Sequence, residues 1–375
     1  MKLSQLLIRE DFYSLIAKTI RFNSFFKNFD NSEPVHFKSY KFLNIILHKS
    51  LETDVRWALI FEYTLSKSRI KQFLQNVYIR IIFLPGISEL FCDKSILLPS
   101  YLSEYGVVPG NHRIRLFESS LNKITVLLKY NEASKFVKKD IEARFNNDLS
   151  YAPKILSFGT DWFEEEFING VPFNRIAFNN SSKEALKYLL VRHNRELVQK
   201  NKKYSTTEHY FSQKISEMRG LINFLPEDSP VKRDLLSGVE KLCFTVQRHN
   251  EPTVEISITH GDFQEGNVRI NSKNELFVLD WESADERFIL YDSFVLLSGI
   301  RSGKSLKESF EAFFNNVGEY NVVIDGYHIP FLKTLICLEE LLFNFNENIS
   351  ENFFNSGVDA IETLSKILDF IHSHE

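Results

Sequence analysis

One stretch, Ile258 to Glu282, constrains this chain more than any other. It reads Ile258-Thr259-His260-Gly261-Asp262-Phe263-Gln264-Glu265-Gly266-Asn267-Val268-Arg269-Ile270 and, past a polar break, Leu276-Phe277-Val278-Leu279-Asp280-Trp281-Glu282. Two short β-branched and apolar runs around a polar turn predict a hairpin. A four-residue loop over Ser272 to Glu275 pairs 271 with 276, 270 with 277, 268 with 279 and 267 with 280. That register packs Ile270 against Phe277 and Val268 against Leu279 on one face. It also sets Asn267 beside Asp280.

An amide oxygen next to a carboxylate, with a second carboxylate at Asp262 five residues upstream of the amide, suits magnesium-assisted phosphoryl transfer. The metal wants hard oxygen ligands, and the other carboxylate must stand apart to receive the acceptor hydroxyl. A protein-kinase catalytic loop has the same order, Asp and then Asn after four residues, with an arginine where this chain has Gly261. A lone Asp in a tight loop is more often a turn former. Three polar residues in matching register shift the reading towards ligands. His260 has no second His or Cys at ligand spacing and reads as a support for its loop.

The bulk composition removes several other classes of function. Across 375 residues, 45 basic side chains meet 49 acidic ones for a net charge of -4, so a broad phosphate-backbone partner such as nucleic acid is not expected. Cys92, Cys243 and Cys337 are widely spaced with no CxxC pair, which excludes a disulfide framework or thiolate zinc site and fits a reducing cytoplasm. Arg9, Glu10 and Asp11 interrupt the opening residues where a signal peptide needs an apolar core, and no uncharged run reaches 18 residues. Neither export nor a membrane span is expected.

Along the chain, residues 1–100 read as a folded N-terminal extension of unassigned role, with a strand predicted over Asn76 to Leu84 from its β-branched and aromatic residues. Residues 101–169 follow as a small mixed lobe. There Arg113-Ile114-Arg115-Leu116-Phe117-Glu118 alternates like a half-exposed strand, and Lys123 to Lys129 supplies a second. A helix is expected over 133–145, then a strand from Trp162 to Ile168 that leaves through Asn169-Gly170-Val171-Pro172. Residues 170–375 are mostly helical, with helices over 184–198, 210–224 and 231–247 and a closing one marked by Val358, Ile361, Leu364, Ile367, Leu368 and Ile371.

HGDFQEGNV followed by VLDWESADERFILYD resembles the aminoglycoside phosphotransferase and choline kinase family of protein-kinase-like enzymes, over roughly residues 105 to 375. The resemblance implies an α+β, two-lobed kinase-like fold and an ATP-dependent (or other nucleoside triphosphate-dependent) and Mg2+-dependent transfer to a small-molecule hydroxyl. It implies that Asp262 serves the acceptor and that Asn267 and Asp280 hold the metal, with Asp292 as a structural carboxylate. It also implies that Gly110 and Asn111 form the nucleotide loop, that Lys129 meets the phosphates, and that Glu166 and Ile168 lie in the hinge that meets adenine. The family pairs its strand lysine with a helix acid. Asp140 and Glu142 are both candidates, about 200° apart on a helix, with Glu142 slightly favoured by its reach. Rival readings are a catalytically silent kinase-like scaffold and a protein kinase. HGD in place of HRD and the lack of an APE-like segment argue against the second.

Two further features remain. Gly299-Ile300-Arg301-Ser302-Gly303-Lys304-Ser305 has three residues between its glycines where a phosphate-wrapping loop needs four, and reads as a loop joining helices. From residue 310 onward the net charge is -9, which would suit a cationic acceptor such as an amino sugar or amino alcohol, or else simply marks solvated helix faces.

Overall fold

A computed structural model describes residues 12–27, 33–51, 59–60, 65–66, 68–83, 87–110, 112–118, 120, 122–130, 135–147, 149–175, 180–246, 251–324, 326–348 and 357–372. The chain divides into two units, Met1–Lys183 with Glu265–Glu282, and Glu184–Gln264 with Ser283–Glu375. An antiparallel sheet in the first and a mainly helical second make this an α+β protein.

Short runs rich in β-branched and apolar residues build the sheet of the first unit. Its strands are β1 (Pro34–Tyr40), β2 (Ile45–His48), β3 (Lys94–Pro99), β4 (Tyr105–Pro109), β5 (Arg113–Glu118), β6 (Lys123–Leu128), β7 (Ile155–Phe158) and β8 (Trp162–Glu166), arranged β3-β1-β2-β4-β5-β6-β8-β7. In β5 and β6, Arg113 stands opposite Leu128, Ile114 opposite Leu127 and Arg115 opposite Val126. Partners across a ladder share a face, so this register sorts every side chain of the two strands. On one face, helix α1 (Phe12–Phe22) packs Phe12, Ile16 and Ile20 with Ile114, Leu116 and Leu127. On the other, Ile124, Val126 and Leu128 pack with Val137 and Ile141 of a helix over Lys135–Phe145, as expected.

One expectation is corrected. Asn76 to Leu84 was expected as a strand, but Arg69–Ile82 is a helix capped by the Ser68 side chain, and Ile79 and Ile82, three apart, are the side chains it buries. Burial at helical spacing outweighs the β preference of the single residues. Residues 1–100 supply part of the same sheet. Their strands β1, β2 and β3 continue the sheet of the 101–169 region, joined where Ile46 pairs with Val107.

Residues 170–172 and 265–282 belong to the first unit as well, within what was expected to be a helical lobe spanning 170–375. The reason is hydrogen bonding: strand β9 (Gly170–Pro172) pairs with Val268–Asn271, and Val278 N donates to the Tyr151 carbonyl at 2.7 Å. Only glycine allows the approach at 170, since a Cβ there would stand 2.7 Å from the Ile270 carbonyl oxygen.

The second unit contains the helices Thr207–Ile222, Pro230–Val246, Tyr291–Ser298, Leu306–Asn316, Ile329–Asn348 and Gly357–His372, and a three-stranded sheet of Lys203–Thr206, Thr253–Thr259 and Asp285–Phe288. Ile329–Asn348 buries Leu332, Leu335, Ile336, Leu338 and Leu341, residues that circle the helix and make it a core element. Among the described residues, no helix is long and apolar enough to cross a membrane.

Candidate active site

The hairpin over residues 268–278 forms, but its register differs by one from the expected one. Val268 pairs with Val278, Arg269 with Phe277 and Ile270 with Leu276. Asn271 N donates to the Glu275 carbonyl, so the loop has three residues, with Asn274 in the left-handed region at φ 63°. An αL residue closing a three-residue loop is a standard hairpin solution, and asparagine tolerates it. Asn267 therefore faces Leu279, whose N–H donates to the Asn267 carbonyl at 2.7 Å, and not Asp280. Asp280 itself takes φ 69°, which turns it out of the strand.

Both residues nonetheless border one place. Asn267 and Asp280 line a cavity of about 510 Å3 within the first unit, together with Arg115, Glu166, Ile168 and Gly170. That volume lies within the range of small-ligand pockets. Among the described residues, no group of three or more His, Cys, Asp or Glu makes an all-protein metal cage. One carboxylate and one amide oxygen suit a cation that completes its shell from ligand oxygens and water, as Mg2+ does.

Two arginines surround Asp280. Arg113 Nη2 donates to Asp280 Oδ1 at 2.8 Å and Arg115 Nη2 to the same oxygen at 2.6 Å. Arg113 is buried, and it also pairs with Asp140 and, at 2.7 Å, with Glu282. Burial opposes its charge, but Glu282, Asp140 and Asp280 more than offset that and raise its pKa above the ordinary arginine value. Arg115 is shifted the same way: burial opposes the charge, and Asp280 leads the carboxylates that outweigh it. The alternation of β5 showed both arginines on one side of a strand. Which acids they meet was not legible.

The other expected nucleotide contacts divide. Glu166 and Ile168 line the cavity. Gly110 lies beside it in the β4–β5 turn, its N–H donating to the Arg113 carbonyl at 2.8 Å, and Asn111 lies outside the described residues. Lys129 and Glu142 do not come together. Lys129 follows Leu127 in alternation, is buried, and holds its Nζ 5.4 Å from the ring centre of Phe12, on the α1 face of the sheet. Glu142 is exposed and pairs with Lys138 at 3.8 Å. Of the two candidate acids, Asp140 is the buried one, and Arg113 and Arg144 are the cations it meets. The 200° between positions 140 and 142 decides this, since only one can turn inward.

In the second unit, the loop that carries Asp262 is pinned from below. Asp292, fully buried, accepts the backbone N–H groups of His260 at 2.6 Å and Gly261 at 2.9 Å, and His260 Nδ1 accepts from Asp262 N at 3.2 Å. Burial raises the Asp292 pKa, partly offset by His260 and by those two N–H groups. Gly261 has φ 85°, and a Cβ there would stand 2.4 Å from the Ser283 carbonyl oxygen, so glycine is required.

Asp262 accepts from Gln264 Nε2 at 2.7 Å and from Arg301 Nε at 2.9 Å. Arg301 pairs as well with Glu340, donates to Tyr291 Oη at 3.1 Å, and lies 4.0 Å from the centre of the Phe343 ring. The segment 299–305 does join two helices, as expected, but it delivers this arginine to the carboxylate. No signal in the sequence tied residue 301 to residue 262.

No family model matches the chain, and no curated protein matches it. Solved structures do. An aminoglycoside phosphotransferase, APH(3'')-Id of Streptomyces rimosus, is similar over 65% of this chain and 92% of its own, at 12% identity and a TM-score of 0.43. The ADP-bound aminoglycoside phosphotransferase APH(2'')-Ib is similar over 71% and 91%, at 14% and 0.44. The choline kinase LicA of Streptococcus pneumoniae is similar over 72% and 96%, at 16% and 0.43.

Proposed function

We propose that this chain is a small-molecule kinase of the aminoglycoside phosphotransferase and choline kinase type, moving the terminal phosphoryl group of ATP, or another nucleoside triphosphate, to an acceptor hydroxyl. The observation that carries the reading is the convergence of Asn267 and Asp280 on one cavity beside Arg115 and the 166–170 segment. This supplies oxygen ligands, a cation and a hinge-like wall to one nucleotide-sized space.

In this reading Asn267 and Asp280 hold Mg2+, which neutralises phosphate charge when bound. Asp262 orients the acceptor hydroxyl and takes its proton, while Gln264 and Arg301 fix the plane of its carboxylate. Glu166 and Ile168 flank the base. The acceptor is an amino sugar, a sugar or an amino alcohol. The acidic C-terminal region gives weak support to a cationic one, because Glu340 is already paired with Arg301, and Glu339, fully buried, lies 3.3 Å from Lys214.

The test is ATP turnover against a panel of small hydroxyl acceptors with the wild type and Asp262→Asn. The variant should keep nucleotide affinity and lose about a hundredfold or more in turnover. Equal turnover by a folded variant removes Asp262 from the chemistry. A wild type that binds nucleotide and phosphorylates nothing favours a silent scaffold.

A further inference from the structure

We propose that Arg115 of β5 is the cation that receives the nucleotide's phosphates in this chain, in the role expected of Lys129. The inference rests on the phosphotransferase reading and specifies which strand supplies the charge. Strand geometry excludes the lysine. Ile124, Val126 and Leu128 of β6 face the helix Lys135–Phe145, whereas Leu127 faces α1, and Lys129 continues on the Leu127 side against the ring of Phe12. Arg115 stands opposite Val126 and so shares the face of Asp140 and Arg113.

Arg115 also has the right surroundings. It lines the cavity and keeps 22% of its side chain exposed, against 1% for Arg113 behind it. Its guanidinium pairs with Asp280 at 2.6 Å, which puts it at the metal-ligand end of the cavity. Arg269, which lines the same space, turns instead to the Gly170 carbonyl at 2.9 Å, at the hinge end. A Cβ at Gly110 would stand 3.5 Å from Arg115 Nη1, so the bare backbone of the β4–β5 turn lies against this guanidinium. A planar fork beside a metal-binding carboxylate can exchange that carboxylate for phosphate oxygens with both partners still charged.

The test measures dissociation constants of ADP and adenosine for the full chain by calorimetry, or of GDP and guanosine if the wild type prefers guanine. Arg115→Met should weaken the diphosphate about tenfold or more and leave the nucleoside within about twofold, while Arg115→Lys recovers most of the loss. Lys129→Met should leave both within about twofold. Unchanged diphosphate affinity in Arg115→Met, an equal loss of nucleoside affinity, or a loss confined to Lys129→Met overturns the assignment. A wild type that binds neither ligand overturns the kinase reading itself, a result distinct from these.

Discussion

Arg301 Nε donates to Asp262 Oδ1 at 2.9 Å, and the same guanidinium pairs with Glu340 and rests on the ring of Phe343. Two carboxylates and an aromatic face fix its plane, and the plane fixes Asp262. Lysine keeps the charge but is a point donor that cannot serve those directions together. Arg301→Lys should therefore lower turnover about tenfold or more while leaving the Kd for Mg-ADP within about twofold. Parallel kinetics and nucleotide titration check it, and a loss confined to nucleotide binding would assign Arg301 elsewhere.

Asp280 shares one oxygen between Arg113 and Arg115, so its removal has two opposite effects. Asp280→Asn should bind free ADP at least as tightly as the wild type, because the arginines lose their competing anion. The gain in affinity on adding Mg2+ should fall about tenfold or more, since a hard cation loses its carboxylate. ADP titrations with and without Mg2+ separate the two.

Asp292 satisfies two buried N–H groups beneath the Asp262 loop. Asp292→Ala leaves both without an acceptor and should cost about 2–4 kcal/mol, read as a lower urea midpoint at unchanged slope. A midpoint equal to the wild type would mean that the loop is held by other contacts.

Glu255 provides a pH test. Burial pushes its carboxyl up, but Lys202 and Tyr327, both bonded to it, outweigh that and leave it below the ordinary value of 4.5. A folded pKa below the unfolded one adds stability above 4.5 that is lost as pH falls through the lowered value. Between about pH 5 and pH 3 the wild type should lose more Tm than Glu255→Gln. Scanning calorimetry across that range checks the sign.

Patterns of a few residues determined much of this protein without tertiary information. The alternation of Arg113 to Glu118 marked β5, the apolar spacing from Val358 to Ile371 marked the closing helix, and the order Asp262, Asn267, Asp280 suggested the chemistry proposed above. The first two depend on neighbours within a few positions, which is the range over which backbone preferences act. Four matters were decided only by tertiary structure. The hairpin register turned on Asn274 adopting φ 63°. Arg69–Ile82 became a helix because Ile79 and Ile82 found a core. Asp140, and not Glu142, faced inward because Arg113 stood on the neighbouring face. Arg301 reached Asp262 across 39 residues of chain. The physical reason is common to the last three: the partner that stabilises the chosen state lies across a strand pair or a helix pair, and no local preference encodes its position.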